Sequence, residues 1–275
     1  MHHPRLYLPV IFLFLLKSIC FASYITIDTG VLVSVNKGQI TIDCKVTNNG
    51  DETAHQVEIE ADFGEKKFSS HPANTLAPGK SLQEQFQFTP KIKFSRMIIP
   101  LAIKYKDANL YGFSAISYAD AKSSTDESSA IYCRVNDLSL SRKGNLVLTL
   151  KSLDGRSHNA AVSIITPHEL TVTPIEKSIQ IPKENEVEMK FEIDNFSALA
   201  PSTYAILCII SEKRTSGQYE AVFSGRINVI SSTESIKILS NQYLIWIIIS
   251  LIIIYFLYQF RRKRSHQNGR DKKRL

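Results

Sequence analysis

The sequence lacks the residue groupings on which most enzyme and metal chemistry rests. Its four cysteines, Cys20, Cys44, Cys133 and Cys208, include no Cys-x-x-Cys pair, which removes zinc-ribbon and dithiol redox motifs. Of the seven histidines, His2, His3 and His266 lie at the extremities, while His55, His71, His158 and His168 fall singly in turn-like or strand-edge sequence. No two have metal-ligand spacing. His168-Glu169 begins like HExxH, but Val172 stands where the second His is required, and the segment has strand rather than helix character. Residues 112–116, GFSAI, lack the second Gly of a nucleophile elbow. No glycine-rich stretch could cradle a phosphate. No catalytic, cofactor-binding or metal site is expected, and the chain is expected not to be an enzyme.

A charge excess is also missing from most of the chain. The segment after Phe260 holds eight Lys and Arg against one acid, Asp271, which accounts for the whole formal charge of +7. The basicity is therefore local, and nucleic acid is not the expected partner. Its position explains it. Residues 243–260, YLIWIIISLIIIYFLYQF, carry no charge, and as a helix they would cover about 27 Å of hydrocarbon. Arg261, Arg262, Lys263 and Arg264 follow at once, as the cytoplasmic flank of a membrane anchor does. The tail 261–275 is expected inside, beside anionic lipid headgroups. At the other end, His2, His3 and Arg5 precede the apolar run YLPVIFLFLL and the small-residue site at Ala22. That is the layout of a secretory signal peptide over 1–22, and the chain is expected to be a single-pass type I membrane protein with an extracytoplasmic body.

Between these ends the pattern has period two. Ile40, Ile42, Cys44 and Val46 alternate with Thr41, Asp43, Lys45 and Thr47, and Val57, Ile59, Ala61 and Phe63 alternate with Glu58, Glu60 and Asp62. Each run reads as a strand with one buried face, and Asn48-Asn49-Gly50 between them suits a reversal because Asn and Gly tolerate positive φ. Leu82 to Phe88 follows the turn signal Ala77-Pro78-Gly79, and Ile99, Leu101, Ile103 and Tyr105 share one parity. The class is all-β.

The pattern then repeats. ITIDTGVLVSVNKGQITID, from Ile25, aligns with IYCRVNDLSLSRKGNLVLT, from Ile131, so that Lys37-Gly38 meets Lys143-Gly144 and Ile42 meets Leu148. With one residue dropped, Gly50 meets Gly155, Val57 meets Val162 and Phe86 meets Phe191. Parity survives where identity does not, and parity fixes which side chains face a core. Two tandem β-sandwiches are expected, at 23–120 and 130–231, with a barrel as the alternative. The small, polar and acidic stretch 121–129 reads as a flexible linker and 232–242 as a stalk.

The pattern ITIDCKVTNNGDETAHQVEIEADF, followed by LAPGKSLQEQFQF, resembles the CARDB group of immunoglobulin-like domains of bacterial and archaeal surface proteins. In that group an Asn-x-Gly turn ends a strand, an Ala-x-x-Val strand follows, and a Pro-Gly turn precedes the next. Asn48, Gly50, Ala54, Val57, Pro78 and Gly79 match. The second copy, through PSTYAILCIISEKRTSGQYEAVFSGRINVI, is similar to the related NEW3 type, with Asp154-Gly155 in place of Asn-x-Gly and Lys183 where the Pro-Gly turn would put Gly. The resemblance implies an immunoglobulin-like, extracytoplasmic binding or spacer module without catalysis of its own. Asn48, Gly50, Pro78, Gly79 and Gly155 are the candidate structural turn residues.

After signal cleavage three cysteines remain, each opposite an aliphatic residue in the other copy, so buried thiols acting as small hydrophobes are expected. Cys133 and Cys208 form the one pair within a single copy and are the candidates for a disulfide. Asn195-Phe196-Ser197 is the one glycosylation sequon. The expected function is that of a membrane-anchored, non-catalytic binding or scaffold protein with an extracytoplasmic protein or glycan partner. The alternative is a structural or assembly subunit of a membrane complex.

Overall fold

The computed structural model describes residues 24–64, 66–123, 128–231 and residue 246. The expected signal peptide, stalk and basic tail with Arg261, Arg262, Lys263 and Arg264 lie outside the described residues, as do the middle of the linker and all of the expected membrane helix except Trp246. Among the described residues no helix is long and apolar enough to cross a membrane.

The described chain is all-β. In the first half run β1 (Ile27–Asn36), β2 (Gln39–Asn48), β3 (Ala54–Asp62), β4 (Lys67–Ser69), β5 (Ala73–Leu76), β6 (Ser81–Phe88), β7 (Phe94–Lys106) and β8 (Gly112–Lys122). The second half holds β9 (Ile131–Val135), β10 (Leu138–Leu140), β11 (Lys143–Ser152), β12 (His158–Ile165), β13 (Leu170–Thr173), β14 (Glu176–Ile181), β15 (Val187–Asn195), β16 (Ser202–Arg214) and β17 (Gly217–Val229). Strand β8 continues two residues past the expected boundary at 120.

Alternation decides what each strand buries. Ile40, Ile42, Cys44 and Val46 of β2 are fully buried together with Val57, Ile59 and Ala61 of β3 and Ile99, Leu101 and Ile103 of β7. They form one core between the β1-β2-β6 sheet and the layer containing β3, β7 and β8. A separate core fills the second half, with Leu146, Leu148 and Leu150 of β11 facing Ile206, Cys208 and Ile210 of β16. Strand β11 pairs with β9 and β15 as β2 pairs with β1 and β6. The duplicated pattern thus has a duplicated pairing scheme.

The halves are nevertheless not separate in the sheet. A ten-stranded sheet runs β14-β12-β16-β17-β7-β3-β4 across both. It is continuous because β3 pairs with β7 only from Leu101 onward, which leaves one edge of β7 open at its start. Gln218 and Tyr219 of β17 take that edge in parallel, opposite Phe94 and Arg96.

Candidate functional site

The two buried glutamates, Glu169 and Glu220, each bond to a group of the first half, and the seam they mark is the candidate functional site. Two apolar runs make it. Ile98 of β7 and Leu207 and Ile209 of β16 are almost fully buried yet belong to neither core. They have the parity opposite to their neighbours Ile99, Cys208 and Ile210, so they lie on the outer faces of their sheets, and β16 meets β8 across the boundary. A run apolar on both parities is what a strand covered on both faces requires.

One end of the seam is held by backbone and aromatic contacts. Gln218 N–H donates to Lys93 O at 2.9 Å, and the Ser95 hydroxyl donates to Gln218 O at 3.4 Å. Gly217, with φ +131°, sits so close that an added Cβ would stand 2.6 Å from Lys93 O. Only glycine fits there. Arg96 grips Asp120 through two hydrogen bonds, at 2.8 and 3.0 Å, and donates a third to the Tyr219 hydroxyl at 3.2 Å. On the buried Tyr219 ring lies the Arg214 guanidinium, 3.8 Å from the centroid, a cation–π arrangement. The bonds to Asp120 first, then that to Tyr219, hold the Arg96 pKa above its ordinary value.

Glu220 is the next residue along. Only 9% exposed, its carboxylate accepts from Ile98 N–H at 2.8 Å, from Gln218 Nε2 at 2.6 Å and from the Ser211 hydroxyl at 3.2 Å. Burial raises its pKa, and the three donors oppose that without cancelling it. Beyond Ser211, His158 lies between Glu212 at Nδ1, 2.5 Å, and Asp154 at Nε2, 2.7 Å. Burial is the largest single influence on the imidazole and lowers its pKa, but the two carboxylates together outweigh it and the net shift is upward. The His158 bond in turn lowers Asp154 to about 2.

The other end of the seam joins the two motifs that fail as catalytic signatures. Ser114, from GFSAI, donates its N–H at 2.7 Å and its hydroxyl at 2.6 Å to Glu169, which is 1% exposed. His168 N–H donates to Ser114 Oγ at 2.9 Å, and His168 Nδ1 lies 2.9 Å from the same oxygen. Because the serine proton is directed at Glu169, the imidazole is placed to donate to Ser114 Oγ rather than to take a proton from it. The Ser-His-Glu trio is thus arranged as a clasp. Its charge is felt nearby: burial, then Glu169, pushes Tyr105 up to about 12.

The candidate turn residues lie at one end of the first half. Asn48 is fully buried; its side-chain amide donates to Glu52 O and Leu76 O at 2.7 and 3.0 Å and accepts from Gly50 N–H at 3.0 Å. Its backbone O accepts from Gly79 N–H at 2.7 Å, and Lys80 N–H closes the turn on Ala77 O. Pro78 followed by Gly79 at φ +72° has the type II pattern. Gly155 has φ +69°. Gly50 differs from expectation: its φ is not left-handed, and its reason for being glycine is that a Cβ would meet Tyr24 O at 2.3 Å. Cys133 and Cys208 are both buried, with their sulfurs 3.9 Å apart.

Residues 24–106 match the CARDB family. No curated protein matches the chain. Among solved structures, similarity is found to a Salmonella alpha-2-macroglobulin mutant, at 10% identity over 74% of this chain and 16% of that one, TM-score 0.32. An alpha-2-macroglobulin of E. coli in its native conformation gives 8%, 74%, 17% and 0.30. A red sea bream transglutaminase gives 13%, 74%, 31% and 0.25. The chain thus spans less than a third of the length of each of these proteins.

Proposed function

We propose that the protein is a single-pass, membrane-anchored scaffold whose extracytoplasmic body is two tandem immunoglobulin-like sandwiches, and that this body binds a protein partner without catalysis. The carrying observation is the seam, where the two buried glutamates, Glu169 and Glu220, each accept hydrogen bonds from the first half. A rigid pair of modules is a platform. The CARDB match over the first half supports the immunoglobulin-like reading, the leader and the apolar 243–260 with its basic flank support the anchor, and the resemblance of the second half extends the module type to it.

The partner surface we favour lies on the second half. Among the described residues strand β14 pairs only with β12 and leaves its other edge open. Beside it the outer face of β12, β14 and β16 forms a concavity of about 960 Å³ lined by Asn159, Ser178, Gln180, Ser211 and Lys213 among others. Its lining holds no Phe, Tyr or Trp, and its one ring, His158, is bonded to Asp154 and Glu212, which disfavours a sugar that must stack and favours an extended segment of a protein that adds to the edge. A photo-crosslinking residue at Ser178 of the full chain in its native membrane should capture a defined protein adduct. The same residue at Asp43, on the outer face of β2, should not. No adduct at Ser178, or turnover of a substrate by the purified chain, contradicts the reading.

A further inference from the structure

We infer that one end of the body is a lipid-facing surface that lies on the membrane from which the chain is anchored. The inference rests on the anchor reading of 243–260 and extends it from the helix to the folded body.

Hydrogen bonds place six exposed apolar residues at one end. Strands β7 and β17 start together and run parallel, so the loop after Lys106 and the residue after Val229 lie toward the same end. Ile230 N–H donates to Leu140 O, Asn195 N–H to Arg142 O, and Phe196 N–H to Glu169 O. Glu169 holds Ser114 at the base of the β7–β8 loop. From that loop Ala108 N–H donates to Glu52, and Glu52 N–H donates to Tyr24 O. The end so defined carries Tyr24, Leu110, Tyr111, Phe196, Leu199 and Ile230, all exposed, with Phe196 at 76%, Leu110 at 64% and Tyr111 at 62%. Aromatic and aliphatic side chains grouped in this way suit the membrane–water interface.

Charge at this end does not oppose contact. Asp51 accepts from Tyr24 N–H, and Asp107 from the N–H groups of Asn109 and Tyr111. These acids face their own loops.

The occupant is fixed by where the chain leaves. Ile230 is itself in the patch, and only the dozen residues 231–242 separate it from the apolar segment. A coil of a dozen residues would span about 20 Å, a length that would hold the patch at a bilayer surface at high effective concentration, where weak insertion suffices. Residues 195–197 belong to this surface, and the Asn195 amide nitrogen already donates to Ser141 O and Ala198 O.

The test uses the full chain in phosphatidylcholine vesicles, with an environment-sensitive fluorophore on L110C, F196C or, at the opposite end, L153C. Nitroxide-labelled lipid should quench the first two by about twofold or more and leave the third unchanged, with iodide giving the reverse order, as interfacial insertion requires. If the chain floats with the vesicles but all three probes remain open to iodide, this inference fails while the anchor stands. Failure to float overturns both. Probes at 110 and 196 shielded from iodide yet not quenched by the lipid nitroxide mean that protein covers the end, which also overturns it.

Discussion

Ser114 and Glu169 lie 55 positions apart and on opposite sides of the boundary, yet the serine donates both its backbone N–H and its hydroxyl to the one buried carboxylate, at 2.7 and 2.6 Å. Neither donor can be resatisfied by water without opening the seam. Glu169→Ala should therefore cost about 2–4 kcal/mol and split the unfolding of the body into two transitions by calorimetry. Glu169→Gln, which keeps one acceptor, should cost roughly half of that. A single unchanged transition in Glu169→Ala would mean that the clasp holds nothing.

Two glycines are expected to be intolerant for different reasons. Gly217→Ala combines a left-handed φ with a 2.6 Å approach to Lys93 O, and should destabilise the chain by about 2–3 kcal/mol. At Gly50 the backbone is not left-handed, so the penalty comes from close approach alone, to Tyr24 O at 2.3 Å, Thr26 N at 2.7 Å and Ile25 Cα at 2.8 Å. Deleting residues through Thr26, which removes all three of these approaches, should consequently relieve Gly50→Ala and leave Gly217→Ala as it was. Denaturant midpoints of the four proteins decide it.

The pH dependence has a calculable sign. Glu220 has a raised pKa, chiefly by burial, so the folded state binds its proton more tightly and stability increases as pH falls through that value toward about 4.3. His158 is raised by its two carboxylates against the opposing effect of burial; its contribution is complete below about 6.5 and is lost as pH rises through the folded value. Asp154 is lowered to about 2, and its contribution is lost only as pH falls toward that figure. The melting temperature should thus rise from pH 8 to about 5 and fall below about 3.5. Glu220→Gln should flatten the rise.

Cys133 and Cys208 should oxidise selectively. With sulfurs 3.9 Å apart and no other cysteine in the same core among the described residues, two thiols lose two protons and two electrons to diamide, which is reduced to the hydrazine, and one S–S bond forms. Cys44, with its thiol pushed up to about 11 by burial and then by Glu84, should remain free. Because the bond to Cys133, and then burial, also raise Cys208, the reaction should be slow in the folded chain and faster at mild denaturant. Peptide mapping that finds Cys44 in a bridge would contradict the placement.

The all-β class was legible because alternation reports a single buried face, and Ile40, Ile42, Cys44 and Val46 show it without exception. The seam was not, because its outer-face residues break alternation rather than create a pattern. MIIPL at 97–101 and ILCII at 206–210 were the available signal, since only a strand covered on both sides can be apolar at successive positions. Glu169 and Glu220 were hidden differently: an acid in a turn, as Glu169 is, or on the polar parity of a strand, as Glu220 is, looks solvated until a second layer covers it. The polar stretch 121–129 suggested independent halves, but a linker's composition describes only the linker. Gly217 pressed on Lys93 is a contact between residues 124 positions apart, which no local pattern encodes.

The most direct measurement is the distance between the halves. Spin labels on L110C and L199C, both at exposed positions, avoid the buried Cys44, Cys133 and Cys208. Pulsed dipolar spectroscopy on the full chain in detergent should give one narrow distance peak at pH 5 and pH 7.5, as two modules docked through a shared sheet require. A broad distribution, unchanged by Glu169→Ala, would show that the halves swing freely and that there is no seam.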